Sequence, residues 1–202
     1  MSAEHATDVA AEISADRQAL PRFIAKMDDI VTEAVPEPET LARVGAALGE
    51  LVAADNWLDP QFAMPHPEYY RQYLLHADPQ GRYSVVSFVW GPGQKTPIHD
   101  HCTWGAIGML RGAETGQAYT HGDAGMVASG EPERLEPGDV AYVSPSIGDI
   151  HVVRNAFDDR VSISIHVYGT DIGKQSRHVF DATTGAAKTF ISGYANADLV
   201  RS

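Results

Sequence analysis

Leu20, Phe23, Ile24, Met27, Ile30 and Val31 recur three and four residues apart, the spacing that collects apolar side chains on one face of a helix. Ser14 is the candidate N-cap, and Val35-Pro-Glu-Pro38 ends the run because proline cannot continue a helix interior. Leu41, Val44, Leu48, Leu51 and Val52 form a second stripe from near Glu39. Neither helix carries chemistry, so the pair is expected to pack as a layer on something larger. Trp57 to Tyr70 is a connector rich in proline and aromatics. Beyond it the period changes to that of strands, at Tyr73 to Leu75, Tyr83 to Trp90, Ala106 to Leu110, Thr115 to Thr120, Val140 to Val143, His151 to Val153 and Val161 to Tyr168. Turn residues such as Asp78-Pro-Gln-Gly81 separate them. Many short strands between turns predict a mainly β protein, a sandwich or closed barrel with N-terminal α-helices. The expected division is a helical segment, 1–56, packed on a barrel domain, 57–202. Gly122 to Gly130 reads as a polar loop, and the tail from Ser176, with Val179, Phe180, Phe190 and Ile191, is expected to cover part of the barrel.

One strand is polar on one side. Ser164, His166 and Tyr168 share a face, with Val161, Ile163, Ile165 and Val167 on the other. Two arrangements fit: a polar face turned into a wet barrel interior, or a half-exposed strand of an antiparallel sheet.

Charge narrows the partners. The chain has 202 residues and a formal net charge of −12, which argues against nucleic acid, since phosphate binding needs clustered Lys and Arg. A small anion remains possible wherever one cation sits inside a pocket. A single cysteine, Cys102, rules out an intrachain disulfide and suits a reducing cytosol. Residues 1–15 are acidic without the apolar core of a signal peptide, and no apolar run reaches the roughly 18 residues of a membrane span. The expected location is the cytoplasm, with no membrane partner.

The candidate chemistry centres on His99-Asp100-His101. Residues two apart on a strand point the same way, with Cα atoms roughly 6–7 Å apart, so both imidazoles can reach one metal ion. His151, beyond the turn signals Gly138-Asp139 and Pro145 to Gly148, is the candidate third ligand. Three neutral imidazoles leave a divalent ion its full charge and up to three open positions; zinc accepts such a set as well as iron.

The segments Gly93…His99-Asp-His101…Gly105…Gly112 and Gly138…Pro145…Gly148…His151…Asn155 resemble the paired motifs of the cupin superfamily. Most metal-binding cupins place a glutamate where this chain has Gly105, and the glycine is expected to vacate space beside the metal. That gap, with His-Asp-His and Ser164-Ile-His166-Val-Tyr168, resembles the thiol dioxygenases, the cysteine dioxygenase family of cupins, over about residues 57–180. The resemblance implies Fe(II) held by His99, His101 and His151, a hydrogen-bond relay of Ser164, His166 and Tyr168, and O₂ and a small thiol acid as substrates, giving a sulfinate. Gln72, where cysteine dioxygenases carry a carboxylate-holding arginine, and Arg177 beyond the relay tyrosine resemble the 3-mercaptopropionate dioxygenase branch and imply that these two residues hold the substrate carboxylate. Cysteine or mercaptosuccinate as substrate, a metal-binding cupin without turnover, and a zinc or nickel enzyme are the alternatives. The family's cysteine–tyrosine thioether is expected to be absent, since its cysteine aligns with Gly105. Cys102 and Asp100 should both point away from the metal, Cys102 as a packed core thiol and Asp100 as a structural hydrogen-bonding residue.

Overall fold

A computed structural model of the chain describes residues 15–197. Helices α1 (Ala19–Glu33) and α2 (Glu37–Val52) precede a one-turn 3₁₀ helix (Pro60–Ala63) within the connector. Ser14, expected to cap α1, lies outside the described residues; the helix starts after Gln18. Pro36 precedes α2 and Pro38 sits in its first turn, where a missing N–H costs nothing.

Eleven strands follow: β1 (Arg71–Ala77), β2 (Ser84–Trp90), β3 (Ile98–His99), β4 (Gly105–Arg111), β5 (Glu114–His121), β6 (Met126–Leu135), β7 (Val140–Val143), β8 (His151–Asn155), β9 (Ser162–Tyr168), β10 (Arg177–Phe180) and β11 (Ala187–Phe190). They form two antiparallel sheets, ordered β1-β2-β9-β4-β7 and β11-β10-β3-β8-β5-β6. The mainly β, cupin-type architecture with N-terminal helices is therefore present.

Strand alternation divides the interior. Val85 and Val89 of β2 and Ile163, Ile165 and Val167 of β9 face outward and are covered by Phe23, Met27, Val44, Leu48, Leu51 and Val52 of the helices. Val86, Phe88 and Trp90, with Tyr168, face inward onto Ile107, Met109 and Val143. Gly108 permits the close approach of α2, since a Cβ there would lie 2.8 Å from Leu48 Cγ. Because the helices cover its aliphatic face, β9 is buried on both sides. The half-exposed arrangement is thus excluded, and Ser164, His166 and Tyr168 point into the barrel.

Two expectations are corrected. The stretch read as a polar loop at Gly122 to Gly130 mostly enters β6, whose residues between Met126 and Leu135 are exposed. As an edge strand it is held by backbone pairing to β5, which needs no apolar alternation. The tail does more than cover: β10 and β11 pair as a hairpin, and Val179 of β10 pairs with His99, extending the sheet that carries His99 and His151.

Candidate metal centre

His99 on β3 lies opposite His151 on β8, and His101 follows just past the end of β3. The three ring centroids are each 4.9 Å apart, and one nitrogen from each ring lies within 4.8 Å of the others. His99 Nδ1 is 3.1 Å from the Pro97 carbonyl, and His101 Nδ1 is 2.9 Å from Asp149 Oδ1. Both partners only accept hydrogen bonds, so each Nδ1 carries the proton and each Nε2 presents its lone pair inward. Burial and the neighbouring His101 push the His99 pKa down to about 3, and burial with His99 and His101 holds His151 well below the usual imidazole range. Three unprotonated donors converging inside a barrel match the needs of one divalent cation.

The relay is continuous. Ser164 Oγ is 2.8 Å from His166 Nε2, and His166 Nδ1 is 2.8 Å from the Tyr168 hydroxyl. Tyr168 stacks on His101 with centroids 5.4 Å apart, which puts the end of the relay beside the triad. Contrary to the expectation from the sequence, Gly105 leaves no open space beside the three histidines; Tyr168 fills it. A Cβ at position 105 would meet Tyr168 Cδ1 at 2.8 Å, Cε1 at 2.9 Å and Val143 Cγ2 at 3.0 Å.

Next to His99 is a cavity of about 260 Å³, whose wall includes Tyr70, Gln72, Phe88, Arg177 and Phe190. Gln72 Nε2 donates one hydrogen bond to the Gly193 carbonyl, at 3.1 Å, and retains a second N–H. Arg177 is only 3% exposed, yet among the described residues no carboxylate pairs with it. Its Nη2 donates to Ser192 Oγ at 2.7 Å, its guanidinium carbon lies 4.7 Å from the centre of the Phe190 ring, and its Nε has no partner. A buried cation with an unused donor on a cavity wall has the chemistry to bind an anion.

The sequence model of the family described as cysteine dioxygenase type I matches residues 9–181. The chain belongs to that family. Among curated relatives, cysteine dioxygenase type 1 of Homo sapiens is 29% identical over 108 residues, covering 52% of each chain. That of Danio rerio is 26% identical over 113 residues, covering 54% of this chain and 55% of the relative. The chain thus spans about half the length of the curated relatives it matches. A cupin superfamily protein of Desulfitobacterium hafniense superposes with a TM-score of 0.42 at 13% identity, over 54% of this chain and 84% of that one.

Against the family's thioether, Gly105 offers no sulfur to Tyr168, and Cys102 lies elsewhere, with Sγ 3.9 Å from His178 Nδ1. Cys102 is also not the packed core thiol expected from the sequence: it is exposed and has a φ of 55°. The chain leaves the β3 direction there, and the Cys102 amide donates to Asp149 Oδ2 at 2.9 Å, so alternation no longer fixes the side chain. Asp100 matches its expectation as a structural residue, accepting from the His178 backbone N–H at 2.7 Å and lying 2.8 Å from His178 Nδ1.

Two acidic residues at the centre were missed. Asp149 holds His101 through its ring and its backbone N–H, and also holds Cys102. Burial favours its neutral form, but those hydrogen bonds outweigh burial and lower its pKa. Its signal was the two-residue step from Asp149 to His151 across the turn. Glu114, only 2% exposed, accepts from Ser164 Oγ at 2.8 Å. An acid opening a predicted strand carries no mark of such burial.

Proposed function

We infer that this chain is a thiol dioxygenase that adds both atoms of O₂ to the sulfur of a small thiol carboxylic acid, with 3-mercaptopropionate as the preferred substrate. The overall change is RSH + O₂ → RSO₂⁻ + H⁺. The observation that carries the reading is Arg177, a buried, carboxylate-free guanidinium on the wall of the cavity that also contains His99.

Ferrous iron fits the three-histidine site, where it would acidify the thiol and bring it together with O₂. The remaining roles fall to the protein. Arg177 and the spare N–H of Gln72 take the carboxylate, fixing the substrate with its sulfur towards the histidines. Phe88 and Phe190 keep bulk water from the reacting end. Tyr168, oriented by His166 and Ser164, offers a hydroxyl that holds a proton beside the sulfur. Burial, opposed only weakly by Arg177, keeps that hydroxyl protonated far above the usual phenol range. No carboxylate lines the cavity among the described residues, so an α-ammonium group would find no counter-charge there; this favours 3-mercaptopropionate over cysteine. The single cysteine suits a reducing cytoplasm, the proposed location.

The test compares kcat/KM for oxygen uptake by the iron-loaded protein with 3-mercaptopropionate, cysteine and mercaptosuccinate. The expected order puts 3-mercaptopropionate first. No uptake above the metal-free control overturns the activity, and a cysteine preference at saturating O₂ overturns the substrate.

A further inference from the structure

The net reaction releases one proton per turnover, and it arises in a cavity walled by Phe88 and Phe190. The relay beside that cavity does not end at Ser164. Ser164 Oγ also lies 2.8 Å from Glu114 Oε2 and accepts from Trp90 Nε1 at 3.1 Å. Glu114 lines a second cavity, of about 220 Å³, whose other walls include exposed Glu131, Glu133 and Ile147. The two cavities share no lining residue. Four side chains therefore run from the Tyr168 hydroxyl beside the triad to Glu114 on the wall of this second cavity, which His151 of the triad also borders.

We propose that Glu114 is the exit end of a proton path that carries the substrate thiol's proton from Tyr168 through His166 and Ser164 to the second cavity. The inference rests on the dioxygenase reading, because it needs a thiol that arrives protonated and leaves as sulfinate.

The hydrogen bonds define the direction. With Glu114 ionised, Ser164 must donate to it, because a carboxylate only accepts. Ser164 then accepts from Trp90 and from His166 Nε2–H, which leaves His166 Nδ1 to accept from the Tyr168 hydroxyl. One shift along the chain moves the tyrosine proton to Nδ1, the Nε2 proton to Ser164 Oγ and the serine proton to Glu114. The thiol proton replaces the one lost from Tyr168. Every hydrogen bond is then reversed: neutral Glu114 donates to Ser164, and the Tyr168 hydroxyl points back at the sulfur. Loss of the Glu114 proton into the second cavity restores the carboxylate, and the path is ready again once the serine hydroxyl has turned back to Glu114 and His166 has returned to its Nε2–H tautomer. Nothing is oxidised or reduced in the shift, and one proton enters for each that leaves.

Glu114 is suited to both states. Burial raises its pKa to about 7, with only partial opposition from Ser164 and Trp90, so it can take and give up a proton near neutral pH. The titratable groups facing it are His166 on β9, His151 on β8, and Glu131 and Glu133 across the cavity on β6; among the described residues none forms an ion pair with it.

The test uses Glu114→Gln, which keeps the shape and a hydrogen-bond acceptor but cannot carry a proton. Its kcat should fall at least tenfold with KM within twofold. The wild-type kcat should rise with pH through about 7, as Glu114 ionises, and the variant should lack that limb. Independently of turnover, infrared titration of the metal-free protein should show a carboxylic acid C=O band that disappears around pH 7 and is absent from the variant. This second measurement on wild-type protein decides the matter if the variant does not fold. A variant with wild-type kcat and pH profile overturns the proposal, as does the absence of any carboxyl group titrating near neutrality. Wild-type protein that consumes no oxygen with any of the three thiol acids overturns the dioxygenase reading itself, a result distinguishable from the others.

Discussion

Asp149→Asn isolates the contribution of one carboxylate to the metal site. Asp149 Oδ1 lies 2.9 Å from His101 Nδ1, and the same carboxylate accepts the backbone N–H groups of His101 at 3.1 Å and Cys102 at 2.9 Å. Three donors thus converge on two acceptor oxygens. Asparagine offers one oxygen and one NH₂ in the same space, so one donor must lose its partner or reverse. If the NH₂ faces His101, the ring must take its proton on Nε2, where a metal would bind. If the oxygen faces His101, a backbone N–H meets an N–H, and the turn that positions the ring loosens. Either way the site loses the negative charge that strengthens the ring as a donor. Loss of such a partner typically weakens metal affinity about 10–100-fold, which is about 1.4–2.7 kcal/mol. The assay is anaerobic competition for Fe(II) against a chromophoric chelator, with circular dichroism to confirm folding. Iron affinity within twofold of wild type would refute the claim that Asp149 sets the protonation and aim of His101.

Three further outcomes follow from other parts of the structure. Arg177→Gln removes the charge proposed to meet the substrate carboxylate, and a charge-assisted hydrogen bond worth about 1.5–3 kcal/mol predicts a KM roughly 10–150-fold higher with kcat much less affected, read from oxygen uptake at varied thiol acid. Gly105→Ala drives a methyl against Tyr168 and Val143, with contacts of 2.8 and 3.0 Å between buried strands; the expected destabilisation is about 1–3 kcal/mol, with kcat reduced at unchanged iron content. Asp78 closes the β1–β2 turn by accepting from the Gln80 backbone N–H and from the backbone and side chain of Arg82, bonds that lower its pKa to about 2. A folded-state pKa below the unfolded one means that its stabilisation is complete above the ordinary pKa of 3.8 and is lost as pH falls towards 2. Allowing for the partly exposed Arg82, Asp78→Ala should cost about 1–2 kcal/mol in urea unfolding at pH 7, with the two proteins converging near pH 2.

Much of the centre was legible because strand geometry is periodic. Alternation alone put Ser164, His166 and Tyr168 on one face of β9 and aimed Asp100 away from His99 and His101. It could not decide whether the polar face was wet or buried; that depended on α2 packing over Ile163, Ile165 and Val167, a contact between distant parts of the chain. Periodicity failed where the backbone leaves it. Cys102 sits in a left-handed conformation, so its exposure does not follow from its place after His101. β6 has no apolar period to detect, because pairing with β5 through the main chain is enough to hold it. Asp149 and Glu114 act through partners 48 and 50 residues away, and only the closed barrel brings them together.

The measurement that bears most directly on the whole account is the isotopic fate of O₂. Iron-loaded protein is given 3-mercaptopropionate under ¹⁸O₂, and the product is analysed by mass spectrometry. The account predicts a sulfinate carrying both labelled atoms, formed in step with oxygen uptake and absent from metal-free protein. Sulfinate labelled once or not at all, or oxygen consumption that yields only disulfide, would contradict it.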